Sequence, residues 1–112
     1  MRTLEFTIHK QRLTRTPTCD FSGLVAGSVG YLKVKFNFSP EWDGCKKAAD
    51  FILKDESGTL TCGALLSKDG TCVIPSDVLV GSEFYVKVKG VKEDGRYQIE
   101  TSEVRVKQEV NC

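Results

Sequence analysis

Side chains that could act as acids, bases or nucleophiles are few and widely spaced in this sequence. His9, the single histidine, occupies a polar position in a segment where apolar and polar residues alternate. This position favours an exposed strand residue over a general base. Glu41 and Asp43 bracket Trp42 and suggest a catalytic carboxylate pair, but acidic residues so close at a corner are more typical of a turn. We therefore expect no catalytic site, and the chain is predicted not to be an enzyme.

The cysteines are the second group of candidate residues: Cys19, Cys45, Cys62, Cys72 and Cys112. Their odd number, and the lack of C-x-x-C spacing, argue against a disulfide framework and against a zinc site. Cys62 and Cys72 flank a predicted hairpin turn at 68–70, whose register would not place them opposite each other. Cys72 is expected to be a small buried apolar residue, and Cys112 an exposed thiol. We predict no metal and no cofactor.

The one patterned polar feature is a set of basic residues at the outward positions of three predicted strands: Lys33, Lys35, Lys87, Lys89, Arg105 and Lys107. If these strands share a sheet, its outer face carries a row of six cations. Such a face could bind an acidic protein surface or nucleic acid. Few aromatic residues are interleaved, and Glu83 and Glu103 dilute the charge, so nucleic acid is not favoured. The favoured interpretation is a solvated face whose lysines prevent strand-to-strand aggregation.

Composition and charge are those of an ordinary globular domain. Apolar residues make up 40% and charged residues 28%, and the formal net charge is +1. This balance gives no general attraction to nucleic acid or anionic lipid. No apolar run approaches about 18 residues, and no basic-then-apolar leader follows Met1, so we expect no membrane span and no secretory signal. The length predicts a single domain over residues 1–112, located in the cytoplasm when synthesised.

The elements that would position these residues are β-strands. The residues from Leu32 to Phe38 alternate strictly between apolar and polar, which predicts a half-buried strand over residues 31–38 in an antiparallel sheet. Similar patterns predict further strands at 4–9, 11–16, 48–54, 59–66, 71–74, 84–89, 97–101 and 103–110. One helical turn is expected at 75–79, a loop at 17–30, and turns at 55–58, 68–70 and 93–95. The pattern predicts an all-β sandwich or small barrel.

The apolar positions of these strands give the expected core. Trp42 is expected to cap one end of it, and Phe21, Leu24 and Val25 to tuck part of the 17–30 loop against it. The predicted core residues are Leu4, Phe6, Leu32, Val34, Phe36, Phe51, Leu53, Val73, Phe84, Val86, Val88, Val104 and Val106.

Four segments together resemble a known class of proteins. They are FSPEWDG at 38–44, Phe51 at the end of an apolar stretch, CVIP at 72–75, and the segment 90–101. In this order they resemble the small immunoglobulin-like β-sandwich proteins of tailed bacteriophages and prophages, found among head-fibre, tail and baseplate accessory components. The resemblance implies an antiparallel sandwich of about seven to nine strands. It marks a fold and not an active site.

The resemblance also implies a function through protein–protein contacts. The chain is predicted to be a virion decoration, adaptor or host-attachment component, with sheet edges and the 17–30 loop as docking surfaces and with a homo-oligomer left open. An alternative is a phage-encoded inhibitor of a bacterial defence system, such as an anti-CRISPR, that binds and blocks a host protein. A third is carbohydrate binding through Trp42, Tyr85 or Tyr97, although a lone tryptophan at a strand end is more often part of the core.

Overall fold

The computed structural model describes residues 1–92 and 95–110. Over these residues the chain forms nine strands: β1 Arg2–His9, β2 Arg12–Arg15, β3 Leu32–Phe38, β4 Lys46–Asp55, β5 Gly58–Leu65, β6 Thr71–Val73, β7 Glu83–Val91, β8 Gln98–Glu100 and β9 Val104–Lys107. Two short 3-10 helices, Pro40–Trp42 and Ser76–Val78, lie between strands. The second of these is the helical turn predicted at 75–79.

The strands form two sheets that pack face to face around one apolar cluster. The first sheet has the order β2-β1-β3-β6, and the second has the order β5-β4-β7-β8, with β9 pairing β7 beside β8. The prediction of an all-β sandwich is therefore confirmed. The fully buried side chains of this cluster include Phe6, Phe51, Phe84 and Trp42.

The first sheet is not purely antiparallel, which corrects the prediction made from 32–38. β1 and β3 are parallel neighbours, with Leu4 beside Val34 and Phe6 beside Phe36. The reason is the path of the chain between them: β2 returns alongside β1, and the 17–30 loop continues to the end where β1 began. There the Arg2 N–H donates to the Tyr31 carbonyl at 2.8 Å, so β3 starts beside β1 and runs the same way.

The prediction of a hairpin around the turn at 68–70 is also wrong, because the two strands that flank the turn do not pair with each other. β5 lies in the second sheet and β6 in the first, where β6 pairs with β3. The turn therefore carries the chain across the sandwich. Gly70 (φ +79°) accepts the Phe36 N–H at its carbonyl, and a Cβ at this position would lie 2.8 Å from the Phe36 carbonyl oxygen. This close approach fixes the turn against β3.

Most of the predicted core is buried, with two apolar residues as exceptions. Val73 is 46% exposed because it lies in register with Lys33, which puts its side chain on the outer face of the first sheet. Val25 is 37% exposed, whereas Phe21 and Leu24 from the same loop do pack on the core. Leu53 and Val104 are partly buried against it.

Some predictions fall outside the described residues. The turn predicted at 93–95 includes Glu93 and Asp94, and the exposed thiol was predicted at Cys112; none of these three is described. In the part of the chain that is described, no helix is long and apolar enough to cross a membrane.

Candidate functional site

The six predicted basic residues lie on two opposite surfaces. Lys33 and Lys35 lie on β3, in the first sheet. The other four lie on β7 and β9, in the second sheet: Lys87, Lys89, Arg105 and Lys107. Because the inner faces of the sheets pack together, the outer faces point away from each other. The six side chains therefore do not form one row, and that part of the prediction is wrong.

On the second sheet, neighbouring carboxylates compensate two of the cations. The Lys87 ammonium lies 3.2 Å from a carboxylate oxygen of Glu100, and the Lys89 ammonium lies 3.6 Å from one of Asp50. Such surface pairs add little stability, but they cancel charge locally. The outer face of the second sheet is thus of mixed charge, which agrees with a solvated face better than with a basic docking surface.

The candidate acids and bases are exposed side chains on either side of Trp42 and at the end of β1. His9 is exposed at the end of β1, and Glu41 and Asp43 are exposed on either side of the buried Trp42. The pKa of Glu41 is lowered by two hydrogen bonds to its carboxylate. The first comes from the backbone N–H of Glu41 itself, and the second from the Ser39 hydroxyl. A carboxyl group with a lowered pKa stays ionised at neutral pH, so it is poorly suited to act as a general acid.

The aromatic residues considered for sugar binding differ in their exposure. Trp42 is fully buried and donates its Nε1–H to the Lys10 carbonyl at 2.8 Å, so it cannot stack on a sugar. Tyr85 is half-buried, with the Lys54 ammonium 4.1 Å from its ring centroid. Tyr97 is 38% exposed at the far end of the second sheet. Among the described residues, no ring contact joins Tyr85 to Tyr97.

The described cysteines are free thiols: Cys19, Cys45, Cys62 and Cys72. Burial raises the pKa of Cys72 to about 11, so this side chain stays a protonated thiol at neutral pH and is a poor nucleophile. Cys72 is half-buried rather than fully buried. Over residues 1–92 and 95–110, no group of three or more His, Cys, Asp and Glu side chains could hold a metal ion.

An open sheet edge is the most distinctive surface of the molecule. β5 forms one edge of the second sheet and pairs on its inner side with β4. It is eight residues long, has the sequence GTLTCGAL and carries no charged side chain. Leu60 and Leu65 are 44% and 78% exposed. Sheet edges are usually protected by lysines, prolines, bulges or short strands, because a long uncharged edge pairs readily with another strand.

One hydrogen bond establishes which backbone groups face this edge. The Leu66 N–H donates to the Lys47 carbonyl at 3.0 Å, just beyond the last register pair of β4 and β5. Since bonded and non-bonded pairs alternate in an antiparallel ladder, the N–H and C=O groups of four β5 residues must point away from β4. These residues are Thr59, Thr61, Gly63 and Leu65. No other backbone of the described chain donates to them or accepts from them.

The remaining edges of the described sheets are short, and that of β2 is partly covered. The Ser102 N–H donates to the Gln11 carbonyl at 2.9 Å, and the Ser102 hydroxyl accepts the Leu13 N–H at 3.3 Å. β6 and β8 have three residues each, and β9 has four. β5 is therefore the longest edge open to another chain among the described residues.

A cleft of about 580 Å³ opens at the end of this edge. Its walls are the first residues of β4, the last residue of β5 and the turn at 67–70, and Phe38 also lines it. Leu65 belongs both to the open edge and to the cleft. A strand that paired with β5 would therefore run directly into the cleft.

The cleft is predominantly basic. Lys46, Lys47 and Lys68 line it, together with a single carboxylate, Asp69. Hydroxyl bonds from Ser67 and then Thr71 lower the pKa of Asp69, so these neighbours already stabilise its charge. The Lys47 ammonium lies 5.0 Å from the centroid of the Phe38 ring. Among the described residues, no carboxylate forms an ion pair with any of the three lysines.

Sequence reasoning anticipated a strand here but missed its exposed position. The strand predicted at 59–66 was paired with 71–74 as a hairpin, which would have covered the edge. A signal was present in the sequence: no charged residue occurs between Glu56 and Lys68. The lysines of the cleft come from separate segments, and only the fold brings them together.

The chain was compared with protein families, characterised proteins and solved structures. No family model, no curated protein and no solved structure matches it. The resemblance to phage sandwich proteins therefore stays a prediction that rests on the segments at 38–44, 51, 72–75 and 90–101.

Proposed function

We propose that this chain is a non-enzymatic structural or accessory protein that acts through protein–protein contacts, with β5 as its docking edge. The observation that carries the proposal is the uncharged eight-residue edge, which directs backbone groups of Thr59, Thr61, Gly63 and Leu65 outward. A partner strand would satisfy these groups with main-chain hydrogen bonds, and exposed Leu60 and Leu65 would add apolar contact.

The virion is the proposed setting of this docking. Support comes from the segments at 38–44 and 72–75, through their resemblance to sandwich proteins of tailed phages. In this proposal the chain is synthesised in the host cytoplasm and joins the particle as a decoration, adaptor or host-attachment component. The absence of any charged residue from β5 suits such a lasting contact, since no charge would have to be desolvated along the edge.

The test compares two substitutions at one edge position in the phage or prophage that encodes the chain. Thr61→Pro removes an edge-directed N–H and places the proline ring where a partner strand would lie, whereas Thr61→Val keeps the N–H. Mass spectrometry of purified particles should detect the wild-type chain and the Thr61→Val variant and should not detect Thr61→Pro. Circular dichroism of the three purified proteins controls for folding.

Two outcomes would contradict the proposal. Incorporation of a folded Thr61→Pro variant at the wild-type level would show that β5 is not the docking edge. Absence of the wild-type chain from particles, with binding to a host defence protein instead, would overturn the virion role and favour the inhibitor alternative.

A further inference from the structure

The two ends of β5 carry opposite charges. Asp55 ends β4 and Glu56 lies in the turn that follows it, just before β5, and both side chains are exposed. Bonds from the Ser57 hydroxyl, and then from the Ser57 backbone N–H, lower the pKa of Asp55 and keep it ionised. At the other end lies the basic cleft with Lys68. The edge between them is uncharged.

We propose that the strand that pairs with β5 is β5 of a second copy of this chain, in the antiparallel direction. This inference deepens the proposed function and rests on its docking edge. In an antiparallel self-pair, the acidic turn of each copy meets the basic cleft of the other. Such an interface has two-fold symmetry, so the same charge match occurs twice. A second copy thus supplies both the strand and the complementary charge.

The edge-directed groups select one register. Hydrogen-bonded pairs must join residues whose N–H and C=O groups face the edge. All four such residues are used only if Thr59 pairs with Leu65 of the second copy and Thr61 pairs with its Gly63. The two-fold axis then passes beside Cys62, and the two Cys62 residues form a non-hydrogen-bonded pair with Cα atoms about 4.5 Å apart. The residues before Thr59, including Glu56, then extend toward the cleft of the other copy.

The helix Ser76–Val78 leaves this edge accessible. It lies against β4 and β5, but Val78 is fully buried in the apolar cluster between the sheets. The helix therefore packs on the inner face of the second sheet, and none of its backbone groups bonds to β5. Pairing of two copies would join their second sheets into one continuous sheet.

Within one copy, the two charged ends are too far apart to contact each other. β5 runs from Gly58 to Leu65 and separates them by about 23 Å, at roughly 3.3 Å per residue. Any coupling between Glu56 and Lys68 must therefore be intermolecular. This makes a charge exchange between these residues a specific test of the second copy.

The experiment measures the dimer dissociation constant by sedimentation equilibrium for the wild type, Glu56→Lys, Lys68→Glu and the double variant. The wild type should dimerise. Each single variant should raise the dissociation constant roughly tenfold, because it creates like charges at two symmetry-related sites. The double variant should restore wild-type affinity, since every acid–base contact re-forms with its signs exchanged.

A matched control and a second readout keep the test decisive. Arg12→Glu reverses an exposed cation on β2, at the edge of the first sheet away from the cleft, and should leave the dissociation constant unchanged. Diamide, which takes two hydrogens from two thiols and is reduced to the hydrazine, should link wild-type chains through Cys62. It should link Cys72→Ser equally well and Cys62→Ser far less.

The inference and the proposed function can fail separately. A wild type that stays monomeric at millimolar concentration, or a double variant no better than the singles, would overturn the second copy as occupant. The particle experiment with Thr61→Pro would still decide whether β5 docks another protein. Equal cross-linking of Cys62→Ser would show that the proposed register is wrong.

Discussion

The Leu66 N–H donates to the Lys47 carbonyl at 3.0 Å. This single bond establishes the phase of the β4–β5 ladder, that is, which alternate residues of β5 direct their N–H and C=O groups toward β4. Because the phase alternates residue by residue, Cys62 bonds to β4 whereas Thr61 and Gly63 face the free edge. Two neighbouring residues of β5 thus have opposite roles: one holds the strand in its sheet, and the next is available to another strand.

Proline substitutions should distinguish these two roles. Cys62→Pro removes a hydrogen bond to Phe51 and leaves the buried Phe51 carbonyl unsatisfied, which should cost about 1–3 kcal/mol of unfolding free energy. Thr61→Pro removes an edge-directed N–H that has no partner in the monomer and should cost about 1 kcal/mol less than Cys62→Pro. Urea denaturation, at a concentration where the chain is monomeric, measures both values. Equal costs would mean that the phase of the ladder is not the one described.

A second prediction concerns Trp42 and Gly90. A Cβ at residue 90 would lie 2.9 Å from ring atom Cζ3 of Trp42, in a part of the core where both residues are buried. Gly90→Ala should therefore cost about 1–3 kcal/mol through overpacking. In the Trp42→Phe background the same change should cost less, because the smaller ring leaves room. Chemical denaturation of the four proteins gives the coupling, and additive costs would show that the two residues do not clash.

A third prediction concerns the thiol of Cys72 at alkaline pH. Burial raises its folded-state pKa from the usual 9.0 to about 11. Above pH 9 the unfolded chain loses this proton while the folded chain keeps it, so the contribution of Cys72 to stability is complete below pH 9 and is lost as the pH rises toward 11. Thermal unfolding over this range should show a smaller loss for Cys72→Ser than for the wild type. Parallel curves for the two proteins would contradict the prediction.

Local alternation predicted the strands well, and for a physical reason. In β1, β3 and β7, apolar side chains that face the core alternate with polar side chains that face water, so each segment carries its own signature. Burial of Phe6, Phe36 and Val86 followed directly from that signature.

Strand pairing could not be predicted in the same way, because it depends on where the chain goes between strands. The parallel pairing of β1 with β3 results from the path of β2 and the 17–30 loop. The turn at 68–70 has the composition of a hairpin, yet packing of Gly70 against Phe36 sends β6 to the other sheet. This one crossing also leaves the edge of β5 open.

The predicted basic face failed for the same reason. Lys33 and Lys87 each occupy an outward position, as alternation requires, but they belong to different sheets. The basic cleft was missed because Lys46 and Lys68 are distant in sequence and meet only when the turn at 67–70 folds back beside β4. Alternation specifies a face of one strand, and sheet order decides which faces combine.

Amide hydrogen exchange, followed by NMR at two protein concentrations, tests the pairing of β5 most directly. At a concentration well above the dimer dissociation constant, the amides of Thr59, Thr61, Gly63 and Leu65 should be protected, and on dilution below it they should exchange rapidly. The Cys62 amide, which faces β4, should stay protected at both concentrations. Exchange of the four edge amides at the same fast rate at both concentrations would show that no second strand covers this edge.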